Sequence, residues 1–203
     1  MNYITASCTI NQGIVLKNGK QFFENKAADA PTFFLSVYHR LGLNYPKFYK
    51  MDNLSKLGWL ASEILLADTF KDDYQPEEFG LILANRNSSL DNDLKYFNSI
   101  KDIPSPSLFV YTLPNIVIGE ICIRNNFKGE HAFYIQENFD AAFIEGQVNY
   151  LLDHDILQAC ICGWVNILGD EYKAVLFLVE KQKNDSAVPF SADNMQVIFD
   201  QLT

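Results

Sequence analysis

The sequence has little positive charge. It holds 16 lysine and arginine residues against 25 aspartate and glutamate residues, which gives a formal net charge of -9 at pH 7. Binding to nucleic acid and to anionic membranes depends on lysine and arginine, and no basic stripe is present to supply them. We therefore expect no nucleic-acid partner.

Long apolar runs are also missing. The longest apolar stretches are interrupted by Pro114, Asn115 and Glu120, so none has the length of a membrane span. The first ten residues, MNYITASCTI, lack the basic start and the long apolar run of a secretory signal. These two absences predict a cytoplasmic protein without a membrane span.

Cysteine is scarce, and its placement predicts neither disulfides nor a metal site. Cys8, Cys122, Cys160 and Cys162 lie in apolar segments and lack the spacing of a disulfide framework. Cys160 and Cys162 share one face of a predicted strand, but no second Cys or His pair accompanies them. We expect buried, reduced thiols and no metal or cofactor.

The rest of the sequence is typical of a globular α/β protein. Apolar residues make up 48% of the chain, and no repeat or linker divides it, so residues 1–203 are predicted to form a single domain. Strands are predicted in NYITASCTI, FGLILAN, HAFYIQ, LQACICGWV and YKAVLFLVE. Helices are predicted in FFLSVYHRL, MDNLSKLGWLASEILLADTF, SLDNDLKYFNSI, IVIGEICIRNNFKG, FDAAFIEGQVNYLL and SADNMQVIFDQL. Their alternation predicts a layered α-β-α fold around a mixed sheet.

Several helix boundaries and one helix position follow from local signals. Asp52 and Ser191 are expected caps, Ser88 or Ser89 is expected to open the third helix, and IPSPSLFVYTLPN is expected to be a loop. The next helix is expected to begin after Asn115 and to end near Gly129. The helix from Phe139 to Leu152 is apolar nearly all round, which predicts a central position in the fold.

Four segments follow one another as equivalent segments do in β-ketoacyl synthases: FYKMDNLSKLGWLASEILL, GLILANRNSSLDNDLKYF, PSPSLFVYTLPNIVIGEICIRNNFKG and ACICGW. The most specific match is LPNIVIGEICIR. The resemblance runs from about Tyr3 to Val179 and implies a thiolase-like fold, of which this chain corresponds to the first half.

The resemblance also implies where a catalytic cysteine would stand. Counting from Gly129 as the turn glycine of the family, and back from Gly163 as the glycine after its next strand, places that cysteine at Asn138. A shift of one or two residues gives Glu137 or Gln136 instead, and none of these side chains forms an acyl thioester. Chain-length factors also lack the cysteine and often carry glutamine there. A simpler role for Asn or Asp at a strand–helix junction is an N-cap.

Histidine offers little to replace the missing cysteine. The family's decarboxylating histidines come from the second half, and the three histidines here are His39, His131 and His154. An enzyme of another kind, an unconventional acyl transferase or hydrolase acting on carrier-protein or CoA thioesters, would have to use Glu137, Asn138 or His131. Glu137, Asp140 and Glu145 are close in sequence, but acid–base chemistry requires that carboxylates converge.

The resemblance further implies an interface. In ketosynthases the strand before the catalytic turn pairs with its twin across a two-fold axis, and the matching strand here is His131–Gln136. We expect interface residues on this strand and on the preceding helix: His131, Phe133, Tyr134, Ile135, Val117 and Ile121. The expected partner is a second copy or a ketosynthase-like subunit. The closing segment, Ser191 to Thr203, is expected to cover one side of the helix Phe139 to Leu152.

These observations lead to one functional hypothesis. The chain is expected to be a non-catalytic, ketosynthase-like protein that works as an accessory or chain-length-factor-like partner in fatty-acid, polyketide or aryl-polyene-type biosynthesis. Acyl carrier protein is a further candidate partner, although carrier proteins are acidic and the negative charge of this chain counts against a direct contact.

Overall fold

The computed structural model of the chain describes residues 1–69 and 71–202, without the side chain of Asp72. Within these residues eight strands form one sheet. They are β1 Tyr3–Asn11, β2 Ile14–Lys17, β3 Lys20–Glu24, β4 Phe79–Asn85, β5 His131–Ile135, β6 Ala159–Leu168, β7 Glu171–Glu180 and β8 Val188–Pro189. The order across the sheet is β3-β2-β1-β7-β6-β4-β5, and β8 pairs with the start of β1.

The helices pack on both faces of this sheet. They are α1 Ala30–Leu41, α2 Asn53–Leu66, α3 Leu90–Ser99, α4 Pro106–Val110, α5 Ile116–Asn125, α6 Ala141–Asp153 and α7 Ala192–Phe199, with short 3₁₀ turns at Pro46–Lys50, Lys71–Asp73, Pro76–Glu78 and Asp200–Leu202. Buried side chains of α1, α2 and α5 form one core, while those of α6 and α7 form a second core on the opposite face. The predicted α-β-α layering around a mixed sheet is confirmed.

Strand β4 lies between two parallel neighbours, β5 and β6. All seven of its residues, FGLILAN, are buried, as expected for a parallel strand covered by helices on both faces. β6, β7, β1 and β2 continue the sheet in antiparallel register. The carboxyl ends of β4 and β5 therefore meet at one end of the sheet, where Asn85 stands opposite Ile135.

The central helix is α2, and the prediction that Phe139–Leu152 holds this position is wrong. Eleven of the fourteen residues of α2 are buried, whereas α6 buries Ala141, Ile144, Val148 and Leu152 on one face only. Small residues explain the difference, because Gly58 leaves room for Val117 of α5: a Cβ at Gly58 would lie 2.4 Å from the Val117 Cγ2. Asp52 caps α2 as predicted, accepting a hydrogen bond from Ser55 N at 3.0 Å.

Three local features differ from the expectations. The sequence patterns did not predict the β2–β3 hairpin, which is present in the structure. Asn18 and Gly19 form its turn, with the positive φ values that such turns require. The proline-punctuated segment contains the short helix α4. Helix α5 ends earlier than expected, because Asn126 adopts the left-handed conformation that terminates it, at φ 58°.

The closing helix does cover one side of α6. Ser191 caps α7 as predicted, and Ala192 N donates to Glu145 Oε2 of α6 at 2.8 Å. Met195 of α7 is fully buried in the core beneath it. The final residue of the predicted segment, Thr203, lies outside the described residues. Among the described residues, no helix combines the length and the apolar character that crossing a bilayer requires.

One glycine of β6 is fixed by close contact with β7. Gly163 has φ 141°, and a Cβ at this position would lie 2.1 Å from the carbonyl oxygen of Val175. We expect Gly163→Ala to lower the free energy of unfolding by more than about 3 kcal/mol, because the strand backbones would have to separate. Urea denaturation followed by circular dichroism measures the change.

The matched control is Gly146→Ala on α6, where an added Cβ meets no atom within 4 Å. Removing a helical glycine there should stabilise the protein by about 0.5–1 kcal/mol. Equal effects of the two alanine substitutions would contradict the assignment of Gly163 to a close approach of strands.

Candidate functional site

The candidate site is the connection between β5 and α6, residues 136–140, which we call the elbow. The pairing of β5 with β4 continues into it, because Gln136 N donates to Asn85 O at 2.8 Å. The cap of α6 is Asp140, whose Oδ1 accepts a hydrogen bond from Phe143 N at 2.9 Å. Asn138 stands two residues before this cap and is exposed. An Asp or Asn cap was expected at this junction, and the residue that caps α6 is Asp140, not Asn138.

Phe139 anchors the elbow to the rest of the protein. Its ring stacks on Phe199 of α7, with 4.4 Å between centroids and 9° between planes. Trp164 meets the Phe139 ring edge-on at 6.3 Å. On Phe199 itself, the Lys173 ammonium lies 3.9 Å from the ring centroid, in the geometry of a cation–π contact. This aromatic stack joins the turn after β5 to the closing helix.

An open cavity of about 600 Å³ lies between the elbow and α7. Its walls are Gln136, Glu137, Asn138, Phe139, Asp140, Ala141, Ala142, Ala192, Asp193 and Gln196. These side chains include three carboxylates and neither a lysine nor an arginine. They also include no cysteine, serine or threonine, so the described wall of the cavity offers no nucleophile of the hydroxyl or thiol kind.

Gln136 and Glu137, the neighbours of Asn138, differ in their surroundings. Glu137 is exposed, as Asn138 is, whereas Gln136 is half-buried. The Gln136 Oε1 atom is buried and has no hydrogen-bond partner in the described part of the chain. The side-chain amide of Gln136 is neutral and neither gains nor loses a proton near neutral pH. It therefore serves neither as a nucleophile nor as a general acid or base.

The histidines are not brought to the elbow. His131 begins β5, about 13 Å along the strand from its other end, and its Nδ1 lies 3.3 Å from the Gly129 oxygen. His39 lies in the last turn of α1, and His154 follows the end of α6. His131 therefore stands at the opposite end of β5 from Glu137 and Asn138.

Two acidic residues near the elbow make hydrogen bonds that hold helix starts. Glu145 accepts the backbone N–H of Ala192 and so holds the start of α7, while Asp140 caps α6. In the part of the chain that the structure describes, no three His, Cys, Asp or Glu side chains are grouped as metal ligands would be.

All four cysteines are free, and burial keeps them protonated. It raises the pKa values of Cys8, Cys160 and Cys162 far above that of an ordinary thiol. Cys122 on α5 is only partly buried, and the same effect raises its pKa to about 11. None of these thiols lines the elbow cavity, and none supplies a thiolate at neutral pH.

Among the described strands, β5 lies at one edge of the sheet, which is the arrangement that the expected interface requires. Leu81 N donates to Glu130 O at 3.1 Å, and Gln136 N donates to Asn85 O. Because alternate residues of a parallel strand bond to the same neighbour, the even-numbered residues of β5 pair with β4. The backbone groups of the odd-numbered residues point to the open side: His131, Phe133 and Ile135.

The two edges of the sheet differ in charge. β3, at the opposite edge, exposes Lys20 and Glu24, and charged residues of this kind prevent edges from pairing. On β5 the one ionisable residue besides Tyr134 is His131, and Ile135 is 53% exposed. The edge that lacks protection against pairing is the one that leads into the elbow.

Two of the expected interface residues are placed elsewhere. Val117 and Ile121 are fully buried between α5 and the core, so their side chains are not available to a partner. Helical spacing alone did not distinguish the inner face of α5 from its outer face, because both carry isoleucines. The outer face presents Ile123, which is 66% exposed.

Comparison with known proteins identifies solved structures that have a similar fold. No protein-family model and no curated protein matches the sequence. Among solved structures, the chain is similar to the ishigamide ketosynthase/chain length factor, with a TM-score of 0.64 and 16% identity over 89% of this chain and 62% of the other. It is similar to a β-ketoacyl synthase from Burkholderia phymatum STM815, with a TM-score of 0.59 and 11% identity over 89% of this chain and 59% of the other.

A further match covers both chains nearly completely. It is the complex of the ketosynthase ApeO with its chain length factor ApeC from Xenorhabdus doucetiae, with a TM-score of 0.59 and 13% identity over 98% of this chain and 90% of the matched one. The chain thus has a ketosynthase-like, thiolase-type fold, as the sequence resemblance implied. It spans about three fifths of the ishigamide and Burkholderia chains.

Thiol reactivity provides a test of the elbow. We expect iodoacetamide to alkylate native Cys122 very slowly at pH 7, and about tenfold faster per pH unit below its pKa of about 11, because the thiolate is the reacting species. Cys8, Cys160 and Cys162 should react only after unfolding. Intact mass followed by peptide mapping measures each site.

The matched comparison is the variant Asn138→Cys, whose new thiol is exposed. It should be alkylated at pH 7 at the rate of an ordinary thiol, with a pKa of about 8.5. Protection of this thiol in the folded protein would show that the elbow is closed and not open to solvent.

Proposed function

We propose that this chain is a non-catalytic subunit of a ketosynthase-type complex, with a role like that of a chain-length factor in fatty-acid, polyketide or aryl-polyene-type biosynthesis. The observation that supports this most directly is the free edge of β5, which runs into an elbow without a nucleophile. The strand edge is available for pairing, and the described wall of the elbow cavity offers no thiol or hydroxyl that could hold an acyl chain covalently.

The residues that line the elbow cavity support the proposed lack of catalytic activity. The position of the family's cysteine corresponds to Asn138, or to Glu137 or Gln136 with a small shift, and no thiol or hydroxyl lines the described wall. The buried cysteines lie on β1 and β6, and Cys122 lies on α5. A condensing enzyme needs an activated nucleophile together with a base in reach, and neither is assembled here.

The proposed partner is a ketosynthase-fold subunit that pairs with β5. Two copies of this chain would bring together two charges of -9, which opposes association at low ionic strength. A less acidic partner avoids this repulsion, and a homodimer is the alternative that the same edge permits. The solved structures that resemble this chain include ketosynthases described together with chain length factors, and one ketosynthase described with its acyl-carrier protein.

Acyl carrier protein is proposed to dock on that partner and not at this elbow. Glu137, Asp140 and Asp193 give the cavity a negative wall. Carrier proteins are acidic, so the wall repels them. The carrier would therefore deliver its acyl group to the subunit that holds the nucleophile.

The first prediction concerns activity. Neither the wild type nor Asn138→Cys should decarboxylate malonyl thioesters or condense acyl groups. An introduced thiol still lacks the histidines and the oxyanion contacts that such chemistry needs. Intact mass after incubation with acyl-CoA, and release of CO₂ from malonyl thioesters, measure both steps. Turnover or an acyl adduct on residues 136–139 of the wild type would contradict the proposal.

The second prediction concerns pairing. Ile135→Pro removes one outward-facing N–H of β5 and leaves the even-numbered bonds to β4 in place. We expect it to raise the Kd for the partner by at least about tenfold, as loss of a ladder bond and of apolar contact predicts. Ile135 is a better site than Phe133, whose side chain also packs against the core.

The measurement is light scattering and sedimentation of this chain with each ketosynthase encoded in its native genome. Ile135→Val is the control, because it keeps the N–H and most of the apolar surface. Equal association of the proline and valine variants would show that β5 does not pair with the partner. A wild type that stays monomeric with every ketosynthase would refute the proposed function.

A further inference from the structure

The turn between β2 and β3 contains the one Asn–Gly pair of the sequence, Asn18 and Gly19, and both residues are exposed. An asparagine that precedes glycine is chemically labile, because glycine has no Cβ to hinder its backbone nitrogen. That nitrogen attacks the side-chain amide carbon of the asparagine and forms a five-membered succinimide ring. The amide nitrogen leaves as ammonia, with the proton that the glycine nitrogen loses. Water then opens either carbonyl of the ring and gives aspartate or isoaspartate.

The conformation of this turn brings Asn18 part of the way towards the ring. Asn18 and Gly19 have φ values of 50° and 71°, which identify a type I′ turn. Ring closure aligns the Cβ of Asn18 with the Gly19 nitrogen, so it needs a ψ of about -120° at Asn18, as in a type II′ turn. The φ of Asn18 already lies in the range of that turn. The remaining backbone change is a flip of the peptide plane before Gly19, and glycine permits it because it populates both signs of φ.

Contacts with β1 oppose this change. Asn18 N donates to Ser7 O at 2.8 Å, and Asn18 Oδ1 accepts a hydrogen bond from Ser7 N at 2.7 Å. The side chain here takes the place of a strand pair, since the pairing of β1 with β2 ends at Cys8 and Lys17. Ring closure turns the side chain towards Gly19, so the amide has to leave Ser7 first. The reaction rate is therefore limited by the fraction of molecules in which this end of the hairpin has detached from β1.

The turn also faces the closing segment of the chain. Asn18 and Gly19 line a cavity of about 200 Å³ together with Gln201. A Cβ at Gly19 would lie 3.6 Å from the Gln201 Nε2, so the turn and the segment are close neighbours. Phe199, two residues before Gln201, stacks on Phe139 of the elbow. A change in the backbone at Asn18 therefore occurs beside the segment that supports the elbow.

We propose that Asn18 is a modification site, at which the folded protein forms isoaspartate and aspartate without an enzyme. Three observations carry the proposal: the Asn–Gly pair is exposed, its φ values suit ring formation after one peptide flip, and a single side-chain bond to Ser7 restrains the amide. The contact with Ser7 sets the rate, and water is the one further reactant. The proposal is independent of any partner of the chain.

The two products differ in their effect on the hairpin. Isoaspartate carries the main chain through the former side chain, which adds one backbone atom to a two-residue turn. The pairing of Lys17 with Lys20 and the bond from Ser7 N are then lost. Aspartate keeps the original backbone and still presents an oxygen to Ser7 N, so the hairpin stays in place. The isoaspartate form is therefore the one that loosens the hairpin and the closing segment beside it.

The test incubates the wild type at mildly alkaline pH, where the attacking nitrogen loses its proton more readily. Peptide mapping by mass spectrometry, together with labelling by protein isoaspartate methyltransferase, measures modification at Asn18. We expect the folded protein to be modified at this residue, at a rate at least about tenfold below that of the urea-unfolded chain, because release from Ser7 costs free energy. The matched control is Asn18→Gln, whose longer side chain would have to close a six-membered ring and should stay unmodified on the same timescale.

A second variant tests whether detachment of the hairpin limits the reaction. Val15 of β2 is fully buried and pairs with Ile10 of β1. Val15→Ala weakens the attachment of β2 and should raise the rate at Asn18 in the folded protein by at least about threefold. It should leave the rate in urea unchanged. A rate in the folded protein that Val15→Ala does not alter would overturn the role of the contact with Ser7.

The structural consequence is measured on the separated products. The isoaspartate form should melt about 2–4 °C below the wild type, as the loss of one hydrogen bond predicts for a chain of this length. Asn18→Asp reproduces the other product and should melt as the wild type does. Equal melting temperatures of the isoaspartate form and the wild type would overturn the loosening of the hairpin. The absence of modification at Asn18 in the folded protein would overturn the site itself.

Discussion

The parallel pairing of β4 with β6 on one side and with β5 on the other determines where the functional features of this chain lie. β4 is buried along its whole length, so it is fixed in the middle of the two helical layers. Its pairing places β5 at the rim of the sheet and brings the carboxyl ends of β4 and β5 together. The elbow, the start of α3 and the open backbone groups of β5 all follow from that single arrangement.

The fold was predictable from the sequence wherever the structure of a segment depends mainly on its own residues. The run FGLILAN, the apolar stripe of α2 and the caps Asp52 and Ser191 are local signals, and each appears in the structure as expected. The position of a helix within the layers is different, because it depends on which faces its neighbours cover. α6 has the composition of a central helix, yet α2 holds that place through small residues such as Gly58 that admit α5.

The candidate site was predictable in position and only partly in detail. Spacing placed the turn after β5 correctly, but the cap proved to be Asp140, and no pattern pointed to the aromatic stack of Phe139 with Phe199, which joins residues sixty positions apart. Val117 and Ile121 were expected outside and lie inside, since α5 carries isoleucines on both faces. The burial of Asp91 and Asn92 on α3 was not predictable either, because the hydrogen bonds that hold these two residues inside go to Gly169 and Leu108.

The position of β1 has a consequence for how the chain is made. β1, near the N-terminus, is paired along its length with β7, whose residues are 171–180, and at its start with β8. During synthesis β1 therefore has one side open until residues 171–180 have left the ribosome. Contacts so distant in sequence form slowly, and exposed strand edges favour aggregation in the meantime. The pairing of β1 with β7 thus links the completion of the sheet to a segment about 170 residues further along the chain.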